Sequence, residues 1–269
     1  MLRTLKKKFV RLRQISIVNT IYLNFKVFPF SEAYKLPIWV GHRVQFDGLK
    51  KGCILIPPPR DRKSGCVRLG ISYGKTYADK MLYSLISIKD SGKLIFSGKG
   101  ETRIYGGCSL ICRNNGVLQI GANLIMNQCS FICCHNRITI GDFCNIGWNC
   151  QIYDTDFHLI YNARQHYIKN PMDEVHIMNN VWLCHHVVVS KKSYIPAYSI
   201  VGANSYFNKD FSKISTKGNL FVGSPAQIKI DGGIYRLRNG GFEKRIVRHF
   251  LETGEKQMMF DRDFPYEEY

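Results

Sequence analysis

His158 closes the run DTDFH, residues 154–158, behind Asp154 and Asp156. These residue types suit general-base chemistry. A histidine with a pKa near ~6.5 takes up a proton at neutral pH, and positioned proton removal contributes on the order of 10²–10⁴-fold to a reaction. A carboxylate that orients the ring and stabilises the imidazolium completes the arrangement. Alternation along an extended chain puts both aspartates on the face shared with His158. Asp156 is the preferred orienting group, and either aspartate is also suited to capping a turn.

Other groups compete for a chemical role. Cys184 is a candidate nucleophile for an acyl-enzyme, or a small filler at a crowded corner. Histidines at 158, 166, 176, 185 and 186 raise a zinc-dependent lyase or hydrolase. His185 and His186 are adjacent, so an extended backbone directs them to opposite sides and at most one reaches a given site. The ten cysteines contain no CxxC pair, and Cys129, Cys133 and Cys134 lack the paired spacing of structural zinc, so no metal is expected. They read as reduced thiols filling the core of a cytoplasmic protein.

The elements that must position these groups follow from a six-residue period. Ile120, Met126 and Ile132 hold it, and a two-residue slip at His135-Asn136 resets it to Ile140, Ile146 and Ile152. It resumes at Ile177, Leu183, Val189, Ile195, Val201 and Phe207. Small or β-branched residues follow several of these by four: Cys144, Cys150, Val181, Val187, Ser193, Ser199 and Ser205. Six is neither the helical period nor that of alternating strands. It is the period of a parallel β-helix, in which each hexapeptide supplies a short strand and a turn and three steps close a triangular coil. The aliphatic residues stack inward and the small ones fit the corners. Gly121, Gly141, Gly147 and Gly202 fall where turns tolerate glycine best.

His158 occupies the slot six after Ile152, and the register then disappears until Ile177. Residues 159–176 must therefore leave the coil as a projecting loop. Long excursions from a rigid scaffold are where function concentrates.

The predicted organisation is a basic amphipathic segment at 1–30, strands and a cap at 31–92, the β-helix at 93–230, and an extension with helical character at 231–269. In MLRTLKKKFVRLRQ the apolar residues Leu2, Leu5, Phe9 and Leu12 make one helical stripe among cations. That pattern suits either an anionic membrane surface or docking on the chain's own domain. No secretory signal and no apolar run long enough to span a bilayer is present. At 269 residues and 45% hydrophobic content, the chain can bury a substantial core. Its net charge of +18 favours a polyanion, an acidic membrane or a phosphate-bearing cofactor. No nucleic-acid-binding motif accompanies the charge, so no nucleic acid partner is expected.

The motif chain DTDFH, NNVWLCHHVVV, SIVGANSYFNKD and FVGSPAQIK resembles the hexapeptide-repeat acyltransferases. The branch it resembles is the sugar O-acetyltransferases of the maltose/galactoside acetyltransferase type and their surface-polysaccharide relatives. The segment NFKVFPFSEAYKLPIWV also looks like the leader of that polysaccharide branch. The resemblance covers about residues 20–45 and 117–230. It implies a left-handed β-helix, a homotrimer with active sites between subunits, and acetyl-CoA as donor.

By the same resemblance His158 matches the catalytic histidine, and Trp182 a tryptophan beside the site. Cys184-His185 falls where a backbone N–H faces the thioester, and Asn127 matches an acceptor-site asparagine. Gly202-Ala203 and Gly223-Ser224-Pro225-Ala226 match the stretches lining the pantetheine arm and the adenosine end. Lys191, Lys192, Lys209, Lys217 and Lys229 are candidates for the CoA phosphates. Of these, Lys229 is preferred because it follows the GSPA stretch. The chain departs from the pattern at Leu159, where a proline is usual, at Leu183-Cys184, where Ile-Gly is usual, and at Pro196, which replaces a glycine.

The expected function is transfer of an acetyl group from acetyl-CoA to a sugar hydroxyl, in bacterial surface-polysaccharide biosynthesis. The acceptor is a free, nucleotide-linked or lipid-linked sugar, and the location cytoplasmic, with peripheral contact at the inner face of the membrane. The alternatives are a zinc enzyme on the same scaffold, like the β-helical γ-carbonic anhydrases, and a non-catalytic module that presents the basic N-terminal helix.

Overall fold

Residues 13–56, 63–71, 82–237 and 240–259 are described by the computed structural model. The basic stretch at 1–12 lies outside them. The chain winds as a three-sided parallel β-helix of stacked hexapeptide coils. Its first face runs from Ile38–Val40 through Ile125–Met126, Asn145–Ile146, Trp182–Leu183 and Ile200–Val201 to Leu220–Gly223. The second passes through Val44–Asp47, Ser109–Cys112, Phe131–Cys134, Gln151–Tyr153, Val188–Val189 and Tyr206–Phe207. The third includes Ile54–Leu55, Val117–Ile120, Arg137–Ile140, Val175–Ile177 and Ser193–Ile195.

Coil stacking follows the six-residue register. Met126 pairs with Ile146, Ile146 with Leu183, and Leu183 with Val201. Ile132, Ile152, Val189 and Phe207 form the second inward column, and Ile120, Ile140, Ile177 and Ile195 the third. All of these side chains are buried. Burial of each is worth about 1.5–3 kcal/mol, which commits the register. The corner fillers Cys144, Cys150, Val181, Val187, Ser193, Ser199 and Ser205 are buried as well. The coil also begins earlier than expected. Ile38–Val40 pairs with Val67–Leu69, and Val44–Asp47 with Ser84–Ile88, so 31–92 supplies coils rather than only a cap. Its strands are unevenly spaced in the sequence, which blurs the hexapeptide pattern.

The turn glycines answer to a different constraint from the expected one. Gly121, Gly141, Gly147 and Gly202 do not have positive φ; the left-handed residues are Asn123, Phe143, Asn149 and Asn204, two positions later. What excludes a side chain is the next coil. A Cβ on Gly147 would lie 2.6 Å from the Cys184 carbonyl carbon, and one on Gly141 2.6 Å from the Asn179 nitrogen.

Both ends are capped. At the N-terminal end, helix α1 (Ile17–Val27) lies along the open edge of Ile38–Val40. Its Thr20 hydroxyl accepts from Val40 N at 3.0 Å, and Asn24 both accepts from Ile38 N at 3.2 Å and donates to Ile38 O at 2.7 Å. These side chains replace a missing neighbour strand, so the edge is closed. A short helix α2 (Phe30–Ala33) follows. At the far end Leu220–Gly223 turns back antiparallel as Ala226–Ile230 over a cluster of Phe207, Phe211 and Phe221. Helix α3 (Gly240–Thr253) forms the extension. Among the described residues no helix is long and apolar enough to cross a membrane.

Candidate active site

The corner between the second and third faces lengthens into the projecting loop. Two residues, His135 and Asn136, turn it in one coil; in the next, the chain leaves at Asp154 and returns at Val175. The excursion is a hairpin. Ile160–Asn162 pairs antiparallel with Tyr167–Lys169. Its root is zipped by Asp156 N donating to Pro171 O at 2.8 Å and Asp173 N to Asp154 O at 3.0 Å. Phe157 adopts φ 62° and packs edge-on to His135 at 5.9 Å and against Tyr153 at 5.8 Å. A non-glycine residue held in that region costs of order 1–3 kcal/mol and needs packing to persist. The clamp on Phe157 fixes the backbone immediately before His158.

His158 itself is exposed, and its ring has no hydrogen-bond or ion-pair partner among the described residues. The other four histidines noted in the sequence are dispersed. His166 Nδ1 meets the Tyr161 hydroxyl at 2.9 Å, and His176 Nε2 meets Glu174 at 2.9 Å. His185 and His186 contact each other, Nδ1 to Nδ1, at 3.0 Å. They do not face opposite sides as extended backbone would make them, because His186 sits in a turn at φ 58°. Among the described residues no three His, Cys, Asp or Glu side chains gather as metal ligands.

Neither aspartate is placed as the sequence suggested. Asp154 is fully buried, and its two oxygens accept from the amides of His135 at 2.7 Å and Asn136 at 2.8 Å. It caps the slipped turn of the coil below. Asp156 pairs with Lys191 at 2.5 Å, and Lys191 Nζ also donates to Asn170 O at 3.3 Å. Both carboxylates fasten the loop root instead of contacting His158. The strand alternation behind the expectation fails because the chain bends out of the coil at Thr155.

The corner between the first and second faces holds another group of expected residues in one column. Asn127 N donates to Ile146 O, Gly147 N to Leu183 O, Cys184 N to Val201 O, and Gly202 N to Phe221 O. The Cys184 N–H is thus consumed by the ladder, and the His185 N–H in this turn has no acceptor among the described residues. Asn127 is engaged too, donating to Ile146 O at 2.8 Å and Asn145 Oδ1 at 3.2 Å. Burial raises the Cys184 thiol pKa. Beside Cys184, Trp148 stacks on His185 with centroids 5.0 Å apart and planes 8° from parallel. Sequence reading missed Trp148. Extending the predicted pairing of Ile146 on Leu183 by two residues would have found it.

Of the remaining expected residues, Ala203 is exposed, and Gly223 N donates to the Ser205 hydroxyl at 3.1 Å beside the Ser224-Pro225 turn. Lys209 and Lys229 are exposed and carry no ion pair among the described residues, so they remain available to phosphates. Lys191 is committed to Asp156, and Lys217 lies over the Tyr198 ring at 5.4 Å. Trp182 faces outward from the first face. There it lines a cavity of about 1210 Å³ with Asn145, Asn180, Tyr198, Tyr235 and residues of α3. This cavity lies away from His158, and Trp182 is the one expected site residue that lines it.

No protein-family model matches the chain, and no curated protein matches it significantly. Solved structures similar to it include the polysialic acid-specific acetyltransferase NeuO, at 17% identity and TM-score 0.47 over 78% of this chain and 98% of that one. A variant of AntD, an N-acyltransferase from Bacillus cereus in complex with dTDP and coenzyme A, is 17% identical with TM-score 0.40, over 78% of this chain and 90% of that one. The hexapeptide-repeat acetyltransferase VCA0836 from Vibrio cholerae, complexed with acetyl-coenzyme A, is 19% identical with TM-score 0.34, over 84% and 88%.

Proposed function

We propose that this chain transfers an acetyl group from acetyl-CoA to a sugar hydroxyl, with His158 as general base. The observation that carries the reading is an exposed imidazole, without a partner among the described residues, at the root of a projecting hairpin on a hexapeptide coil. The motifs around it resemble those of sugar O-acetyltransferases. A hydroxyl is a poor nucleophile at neutral pH, so its proton must leave as the new bond forms. The imidazole takes that proton while the hydroxyl oxygen attacks the thioester carbonyl. The oxyanion that results needs a fixed donor, worth roughly 3 kcal/mol, and the His185 N–H is the group that supplies it. Collapse breaks the C–S bond, and the departing thiolate recovers the proton from the imidazolium. The products are an acetyl ester and CoA.

One chain carries His158 on one edge of the prism and the Cys184–Gly202 column on another. The reading therefore includes a homotrimer in which the edge of one copy completes the site of its neighbour. Lys209 and Lys229 meet the phosphates of CoA as point charges. Acetyl-CoA as donor places the reaction in the cytoplasm, on sugars destined for a surface polysaccharide.

His158→Ala tests the reading. CoA release from acetyl-CoA, followed with a sugar acceptor panel, falls by about 10²–10⁴-fold. The proposed trimer, followed by light scattering in parent and variant alike, is expected to be unaffected. Near-normal turnover removes His158 from the mechanism.

A further inference from the structure

Helix α1 is apolar on two sides: Leu23 and Val27 are buried in the core. Its polar residues Thr20 and Asn24 are buried against the edge strand, where they hold the backbone of Ile38 and Val40. Five further apolar residues of the helix, Ile17, Val18, Ile21, Tyr22 and Phe25, face outward on its other side, and Phe30 of α2 continues the face. Ile17, Val18 and Phe30 are 72%, 76% and 75% exposed. Phe25, Phe30 and Tyr34 are linked by ring contacts at 5.9 and 6.2 Å. An apolar face of this kind is unusual on a chain in water and marks a contact surface.

The charge around the face says what covers it. Lys26 of α1 and Lys35 just after α2 are exposed, with Glu32 of α2 the acidic residue among them, and Lys50 and Lys51 lie beside the C-terminal end of α1, where Gly52 N donates to Val27 O at 2.8 Å. The twelve residues leading into the segment carry Arg3, Lys6, Lys7, Lys8 and Arg11 and no acidic residue. Aliphatic and aromatic side chains ringed by cations match the interfacial zone of a bilayer with negative headgroups. There apolar groups enter the acyl boundary, aromatic rings sit at headgroup depth and lysines meet phosphates. We infer that the outer face of α1 and α2 docks the end of the β-helix on an anionic phospholipid surface. The inference is independent of the proposed catalysis: the surface lies at the N-terminal cap, away from His158.

The test is flotation of the full chain with vesicles of phosphatidylcholine alone and with phosphatidylglycerol added. The unaltered chain floats with the anionic vesicles and at least tenfold less with the neutral ones. The triple variant Ile17→Ser, Val18→Ser, Phe30→Ser loses flotation at least tenfold while retaining its melting temperature and acetyl transfer. These three positions are the most exposed of the face, so folding does not depend on them. A single variant, Phe30→Ser, shows a partial loss and covers the case in which the triple variant fails to fold. Failure of the unaltered chain to float overturns the inference. So does undiminished flotation of the triple variant, or a reduced oligomer size in that variant, which would show the face to be covered by a second copy.

Discussion

The carboxylate of Asp156 and the ammonium of Lys191 meet at 2.5 Å, and the pair ties the loop that carries His158 to the following coil. Lys191 is nearly buried there, its side chain 10% exposed. It also holds the returning limb of the loop through Asn170 O. His158 is thus positioned from a neighbouring turn of the coil, without a carboxylate on its ring.

Lys191→Met leaves Asp156 without its cation and loosens the loop root. With Asp156 a third exposed and partly screened, the stability lost is about 1 kcal/mol. The larger effect falls on kcat rather than on KM for acetyl-CoA, and Lys191→Arg restores part of it. Steady-state kinetics with thermal melts separate the two; an unchanged kcat rejects the positioning role.

Asp154→Ala removes the acceptor of the part-buried His135 and Asn136 amides. Each costs about 1–3 kcal/mol, so the variant is destabilised by about 2–6 kcal/mol. Asp154→Asn retains one accepting oxygen and loses less. Chemical denaturation measures both, and a difference near zero would mean the cap is dispensable.

Cys184→Ser keeps its acetyl transfer. Burial raises the thiol pKa, which works against a thiolate nucleophile. Loss of turnover, or an acetylated Cys184 peptide in mass spectrometry, would restore the acyl-enzyme route.

Stability falls on the alkaline side. Burial pushes the Cys108, Cys112 and Cys144 thiols from 9.0 up to about 12. The fold therefore favours their protonated form. That contribution is complete below the unfolded value near pH 9 and is lost as pH rises through 9 toward 12. Melting temperature drops between about pH 9 and 11, and Cys144→Ala shows a shallower drop. A flat profile across that range contradicts the prediction.

Gly147→Ala collides with the backbone of Cys184 in the next coil, at 2.6 Å. Relief requires the coils to part, at a cost of about 1–3 kcal/mol or more. The same substitution loosens the His185 turn, so CoA release slows in step with the loss of stability. A variant as stable as the parent would refute the close approach.

The fold was largely legible in the residues. Ile140, Ile146 and Ile152 are spaced for one coil, and Ile177, Leu183 and Val189 land on them despite the loop between. The hairpin was visible as the gap in that register. The first coils were not, because their strands are unevenly spaced along the chain and hide the period. The candidate site was legible in its residue types and not in its contacts. Asp154 and Asp156 were chosen by alternation along a strand, but the strand ends at Tyr153. The chain direction changes there, and both carboxylates find partners remote in sequence.

The sequence by itself determined the winding of the chain and the point where it breaks. Side-chain volume and polarity repeat every six residues, and each coil buries its aliphatics only against its immediate neighbours, so the pattern is local and repeats along the axis. Only the tertiary structure decided who meets whom at the corners: Asp154 with the His135 turn, Asp156 with Lys191, Trp148 with His185, and Asn24 with the open edge at Ile38. Those partners lie in different coils or beyond the end of the stack. Their contacts depend on where the stacked turns place polar groups that must each find a partner, which no short stretch of residues specifies.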